Sequence, residues 1–280
     1  MATSDAVKTY RYLRIGMIGA VVLLATSIAI EHDTVGGCWQ NSISAYYYTP
    51  VRAIFVGGML VVGFALIVIK GRGAWEDACL NAAGMLAPVV AVVPTTDIDA
   101  CWSQPPNPLP LNAEGVLQPW VVANIDNNVK ALLIAGFLGL GVAFLTVVFV
   151  NKSVLAPVRV VERGTSLSLV AAFLLLSFAW LLFAQWDDFD TGSHGKAASL
   201  MFVFLIGAVV GKAVEHRGEP TKGYFPLYTA IGSLMVIGGA LIVAFRVGGE
   251  HTVFVLEATE IALFAVFWGV QTAENWNETV

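Results

Sequence analysis

Eight times between residues 13 and 272 the chain runs through 17–22 mostly apolar residues: roughly 13–31, 52–70, 78–94, 129–150, 165–186, 197–213, 226–245 and 252–272. A helix rises ~1.5 Å per residue, so runs of this length suit a hydrocarbon core of ~30 Å. Irregular backbone is barred from lipid, where an unbonded N–H or C=O finds no water. The expected fold class is therefore all-α, a polytopic transmembrane bundle of about eight spanning helices forming one domain over residues 1–280. Charged residues make up only 12% of the chain, against about 25% in soluble domains, and mean hydropathy is +0.75. The net charge of −5 offers no basic face for nucleic acid.

The first run has a basic lead and a passable cleavage site at "ATS", the marks of a signal peptide. Because the chain carries it from Met1, it is expected to be retained as the first span. Orientation follows from Lys and Arg in the short loops. With the N-terminus cytoplasmic, the inner side holds Lys8, Arg11, Arg14, Lys70, Arg72, Lys152, Arg159, Arg163, Lys212, Arg217 and Lys222. The outer side holds only Arg52, Lys130, Lys196 and Arg246. Both termini are thus expected to be cytoplasmic. Cys38 and Cys101 then fall in the first two outer loops, on the side where a disulfide persists, and Cys79 falls inside the third span. A Cys38–Cys101 bond would tie those loops together.

Residues 95–128 form the one long loop. Its five prolines (105, 106, 108, 110 and 119) fix φ and remove donors, which predicts an extended extracytoplasmic cap, packed onto helix ends through Trp102 and Trp120. Small residues recur at helical spacing, Gly207 with Gly211 and Gly139 with Ala143. Such pairs let helix backbones approach closely in lipid, and packing within the bundle is expected rather than a dimer contact.

The last run, "VFVLEATEIALFAVFW" (253–268), contains Glu257 and Glu260. At ~100° per residue, Glu257, Glu260, Phe264, Trp268 and Gln271 share one stripe, while Val255, Leu256, Ile261, Leu263 and Val266 lie off it. An acidic residue at the bilayer centre costs ~2.5–3.5 kcal/mol, so that stripe must face protein or water. Either the carboxylates hold protons or a cation compensates them. Arg52 and Lys130, which begin spans on the outer side, are the candidate cations, and Lys212 fits less well. An acid–base pair fixing helix register and a ligand, proton or cation site both remain open.

The outer side adds "NSISAYYYTPVR" (41–52), where Ser42, Ser44, Tyr46, Tyr47, Tyr48 and Arg52 precede the second span. Tyrosines at that level are expected to form an interfacial belt. "NIDNNVK" (124–130), with Asp126, Asn128 and Lys130, suits capping of the fourth span. Glu257, Glu260, Arg52, Lys130, Tyr47, Asp126 and Asn128 together make the candidate ligand- or proton-binding set.

His32, His194 and His251, with Asp187, Asp188, Asp190 and Glu250 nearby, are weak candidates for zinc. They lack ligand-pair spacing such as HxxxH, and solvated surface roles are expected. No mid-helix lysine suits a retinal Schiff base. No Walker loop, GxSxG or GxGxxG is present, so no cofactor and no catalytic residue is expected.

Three segments, "SISAYYYTPVRAIFVGG", "LNAAGMLAPVVAVVPT" and "LEATEIALFAVFW", together resemble an uncharacterised family of polytopic membrane proteins of actinobacterial type. That resemblance implies a plasma-membrane protein and carries no activity. "CWQNSISAYYYTPVRAIF" also resembles the first motif of membrane ceramidase-type hydrolases, but their paired-histidine helix is missing. The first expectation is therefore a binding or accessory protein that holds a small molecule or lipid, or docks with other membrane subunits, through an outward-facing polar pocket. The second is a transporter of protons, cations or solutes using the embedded acids. The third is a metal-dependent hydrolase using the outer histidines.

Overall fold

The computed structural model describes residues 5–69, 71, 73–153, 163–185, 189–218 and 223–276. Lys70, Arg72, Arg159, Trp186, Asp187, Asp188 and Lys222, used in the sequence reading, lie outside them. The described residues form eight helices: α1 (Asp5–Thr34), α2 (Arg52–Val68), α3 (Ala74–Val92), α4 (Pro119–Ser153), α5 (Arg163–Gln185), α6 (Phe189–Glu215), α7 (Tyr224–Ala244) and α8 (Thr252–Glu274). The class is all-α, as expected.

The count of spans is corrected. Among the described residues, five helical segments are long and apolar enough to cross a bilayer: Val7–Thr34, Pro119–Thr146, Thr191–Glu215, Tyr224–Ala244 and Gly249–Glu274. By helix length and hydropathy this is a multi-span membrane protein, but not one of eight such spans. At ~1.5 Å per residue, the 17 residues of α2 reach only ~26 Å. The 19 residues of α3 open on Glu76 and Asp77 and include Pro88. In α5 the described apolar part is the short segment Ala172–Gln185.

The chain divides into two compact units, Met1–Gln118 with Ser193–Val280, and Pro119–Gly192. In the second, α4 begins ten residues earlier than the expected span. Pro119 stands at its first position, where a missing N–H costs nothing. "NIDNNVK" therefore lies inside the helix rather than capping it, and Asp126 with Lys130 forms an i,i+4 ion pair at 2.7 Å. Phe137 meets Phe173 of α5 edge-on, with centroids 5.9 Å apart.

In the first unit, glycines set how closely helices pack. A β-carbon on Gly84 of α3 would lie 2.6 Å from the Gly63 carbonyl oxygen of α2, so only glycine fits that crossing. On α6, Gly207 faces Cys79, and Trp75 packs against Gly211 while its Nε1 donates to the Gly207 carbonyl at 3.0 Å. This pair packs within the bundle, as expected. Among the described residues, no side chain of another helix lies within 4 Å of the position a β-carbon on Gly139 would take.

Two ends of this unit can be told apart. At one, the start of α1 meets the end of α8: Arg11 donates to the Trp276 carbonyl and Arg14 reaches Gln271. At the other, a cap covers the helices. Cys38 and Cys101 form a disulfide there, with Cα atoms 5.7 Å apart. Gln40 clamps the same loops, its Nε2 donating to the Cys101 carbonyl at 2.8 Å and its Oε1 accepting from Asp99 N–H at 3.0 Å. Glu31, at the end of α1, accepts from Ser103 N–H and Oγ–H. From residue 95 to 118 the chain forms no helix, as its prolines predict.

The interfacial tyrosine belt is also corrected. Ser44–Tyr48 is a single 3₁₀ turn, and Tyr46, Tyr47 and Tyr48 are buried in the core cluster. This short turn carries its side chains inward, under the cap, where burial raises the Tyr46 and Tyr48 phenol pKa values.

Candidate functional site

The stripe on α8 is buried as its period requires. Glu257, Glu260, Phe264, Trp268 and Gln271 all face the bundle, while Val253 and Val266 are exposed. The two carboxylates do different things.

Glu257, at the cap end, holds the loop before the Ser44–Tyr48 turn. Ile43 donates its backbone N–H to Glu257 Oε2 at 2.7 Å, and Ser44 Oγ lies 3.4 Å from Oε1. These groups open the Ser44–Tyr48 turn, whose leading N–H groups have no partner within it. Beside them, Phe254 N–H donates to the Asn41 carbonyl at 2.9 Å. Gly248 and Gly249, with φ of 92° and 63°, make the tight turn that aims α8 at this loop, a backbone region closed to most side chains.

Glu260, one turn deeper, is only 2% exposed. Neither of its carboxyl oxygens has a hydrogen-bond partner among the described residues. Room for it comes from Gly239 of α7, where a β-carbon would sit 2.8 Å from Glu260 Oε1. The turn just before, Leu234–Gly238, is a π turn, a rare widening that concentrates at functional sites.

Both glutamates line a cavity of about 740 Å³, within the usual range for small-molecule sites, about 300–1,000 Å³. Its polar groups gather toward the cap: Ser42, Ser44, Thr95, Asp97 and His194. Phe202 and Ile206 of α6 and Met235 and Val243 of α7 make its apolar walls. Helices α6 and α7 touch near Gly232, where a β-carbon would lie 3.5–3.6 Å from Val210 and Val209. Toward the cap, Ser199, Val236 and Val243 line the cavity and are also exposed. The space therefore opens sideways between α6 and α7. Below Glu260, Phe264, Phe267 and Trp268 are all buried, with Phe264 5.7 Å from each of the other two rings.

The remaining expected residues stand elsewhere. Arg52 donates to Tyr47 Oη at 2.6 Å and stacks over that ring at 4.2 Å. Lys130 is held by Asp126, and Asn128 accepts from Asn127 Nδ2 at 3.5 Å, both on α4 of the second unit. Among the described residues neither Glu257 nor Glu260 forms an ion pair, and within the first unit the Arg52 guanidinium is engaged by Tyr47 instead. His32 stacks on Trp39 and its Nδ1 donates to the Cys38 carbonyl at 3.0 Å. His194 is buried, its Nδ1 donating to the Val93 carbonyl, and His251 stands in the turn before α8. Among the described residues no three His, Cys, Asp or Glu side chains stand close enough to share a metal ion.

At the opposite end lies a polar lattice that sequence reasoning missed. Arg14, 2% exposed, donates to Thr272 Oγ1 at 2.9 Å, Tyr10 Oη at 2.8 Å and Gln271 Oε1 at 2.5 Å, with its guanidinium 4.2 Å from the Trp268 ring. Gln271 Nε2 donates onward to Glu76, whose carboxylate faces the buried Lys212 ammonium at 4.0 Å. His216 and the Tyr228 hydroxyl converge on Glu274 at 2.7 and 2.6 Å. The signal was available: the α8 stripe, extended three residues past Gln271, arrives at Glu274. Arg14, Gln271, Glu76, Lys212, His216, Tyr228 and Glu274 are each engaged by a neighbour in this lattice, which reads as a lock between helix ends. No family model, no curated protein and no solved structure matches the chain.

Proposed function

We propose that this is a binding or accessory protein of the plasma membrane that holds a small molecule or lipid in the cavity beneath its cap. One observation carries the reading: Glu260 lines a cavity of about 740 Å³, is almost wholly buried, and has both oxygens unbonded. A buried polar group without a partner costs about 1–3 kcal/mol, more when charged, and a bound molecule supplying a donor removes that cost. The sideways opening between α6 and α7 suits a guest that arrives from the membrane. The plug of Phe264, Phe267 and Trp268 favours holding over conduction, because it fills the bundle between Glu260 and Gln271.

The topology follows the same reading. Arg11, Arg14, Lys212 and Arg217 gather at the end where the start of α1 meets the end of α8, which supports placing that end in the cytoplasm. Protease-sensitive tags on both termini stay intact in sealed spheroplasts if this is right; cleavage of either tag contradicts it. The function is tested by native mass spectrometry of the purified protein. A co-purifying small molecule present in the wild type and lost in Ala240→Trp, which fills the cavity, is the expected result. Identical spectra with no bound species, in protein taken directly from its own membrane, would remove the proposal.

A further inference from the structure

The chemistry of the cavity selects among guests, and the inference here rests on the binding reading above. The charged residues lining it are Asp97, Glu257 and Glu260; no Lys or Arg lines it among the described residues. Two of the three acids are occupied. Asp97 accepts from Asn41 Nδ2 at 3.0 Å, and Glu257 is held by the Ile43 N–H. Among the described residues, Glu260 is the one of these three acids without a hydrogen-bond partner, at the deep end of the polar wall and beside the apolar one. A phosphate or carboxylate head would meet three acids and no cation, so ordinary anionic or zwitterionic phospholipid heads are disfavoured. A neutral alcohol would satisfy one oxygen and leave the acidic field uncompensated.

We infer that the cavity takes a lipophilic amine: a single cationic nitrogen seated on Glu260, with an apolar chain lying between α6 and α7. The amine donates to the two free oxygens, a charge-assisted contact of the strong kind. Its chain covers Phe202, Ile206, Met235 and Val243 and reaches the lateral opening at Ser199 and Val236. Glu260 is here a binding residue that touches the ligand, and Gly239 is the position that leaves it free to do so.

The test uses the full chain in a neutral detergent, with decylamine, decanol, decanoate and butylamine as probes and the thermal unfolding midpoint as readout. Decylamine is expected to raise the midpoint saturably, decanol to act only at about tenfold higher concentration or more, since one charge-assisted contact carries at least a decade of affinity, and decanoate and butylamine to have no effect. Glu260→Gln is expected to bring decylamine down to the level of decanol while leaving decanol unchanged. If Glu260→Gln does not accumulate, the wild-type contrast between decylamine and decanoate decides alone. Decanol matching decylamine in the wild type overturns the amine inference and leaves the cavity reading standing. Butylamine matching decylamine overturns the role given to the apolar chain. Four probes without effect, in wild type and Ala240→Trp alike, overturn both the inference and the reading beneath it.

Discussion

The same chemical change, glycine to alanine, is predicted to have opposite consequences at two positions. At Gly84 the new β-carbon would lie 2.6 Å from the Gly63 carbonyl oxygen and 2.8 Å from Ile67 Cγ1. The first obstacle is backbone of a neighbouring helix and cannot rotate away. Overpacking of this kind costs about 1–3 kcal/mol, and the gain from replacing a mid-helix glycine returns only about 0.5–1 kcal/mol. The net expectation is a loss of about 1–2 kcal/mol. At Gly239 the β-carbon would meet Glu260 Oε1 at 2.8 Å and Leu256 Cδ1 at 3.4 Å. Both are the far ends of flexible side chains, and Glu260 has a cavity to swing into. Stability is therefore expected to be unchanged or slightly raised, while the displaced carboxyl loses its seat for an amine. The eight tryptophans make fluorescence melting in detergent a direct assay, paired with decylamine titration. Gly84→Ala should melt earlier and still bind; Gly239→Ala should melt normally and bind about tenfold more weakly or worse. If Gly239→Ala is destabilised as much as Gly84→Ala, Glu260 is fixed by packing rather than free, and the reasoning fails.

Three further outcomes follow from the same structure. Removing the disulfide by Cys38→Ser with Cys101→Ser, whose separation is 63 residues, should cost up to about 4 kcal/mol by the loop-entropy estimate, read as an earlier melt that reducing agent reproduces in the wild type. Arg14→Met leaves the buried Gln271 and Thr272 oxygens without their donor and should cost about 1–3 kcal/mol; a melt equal to wild type would show that the lattice adds nothing to stability. Glu257→Leu strands the Ile43 N–H under the cap and should cost about 1–3 kcal/mol, whereas Glu257→Gln keeps an acceptor oxygen and should cost less. Equal losses in those two variants would mean that Glu257 is not the acceptor for the loop.

The α8 stripe was legible because helical period alone decides which side chains share a face, and two acids within an apolar run must lie on the inward one. Cys38 and Cys101 were legible because charge asymmetry put them on one side of the membrane. Other features depended on information that no single segment carries. The Tyr46–Tyr48 run has the composition of an interfacial belt, and only the cap above it makes it core. Asp126 and Lys130 suit a helix entrance equally well as an i,i+4 pair, and the helix start at Pro119, seven residues before Asp126, settled the matter. Arg14 and Lys212 were counted as charges of the inner side, which hid their burial, because their partners Gln271 and Glu76 lie 257 and 136 residues away along the chain. The lone Glu260 was grouped with Glu257 because spacing cannot distinguish an acid that caps a loop from one that faces a void.

The most direct test of that distinction is infrared difference spectroscopy on the protein in lipid, recorded with and without decylamine, in wild type, Glu260→Gln and Glu257→Gln. The account predicts a carboxyl-region difference band in the wild type that is absent from Glu260→Gln and kept in Glu257→Gln. A band that survives in Glu260→Gln, or wild-type spectra that do not change at saturating decylamine, would contradict it.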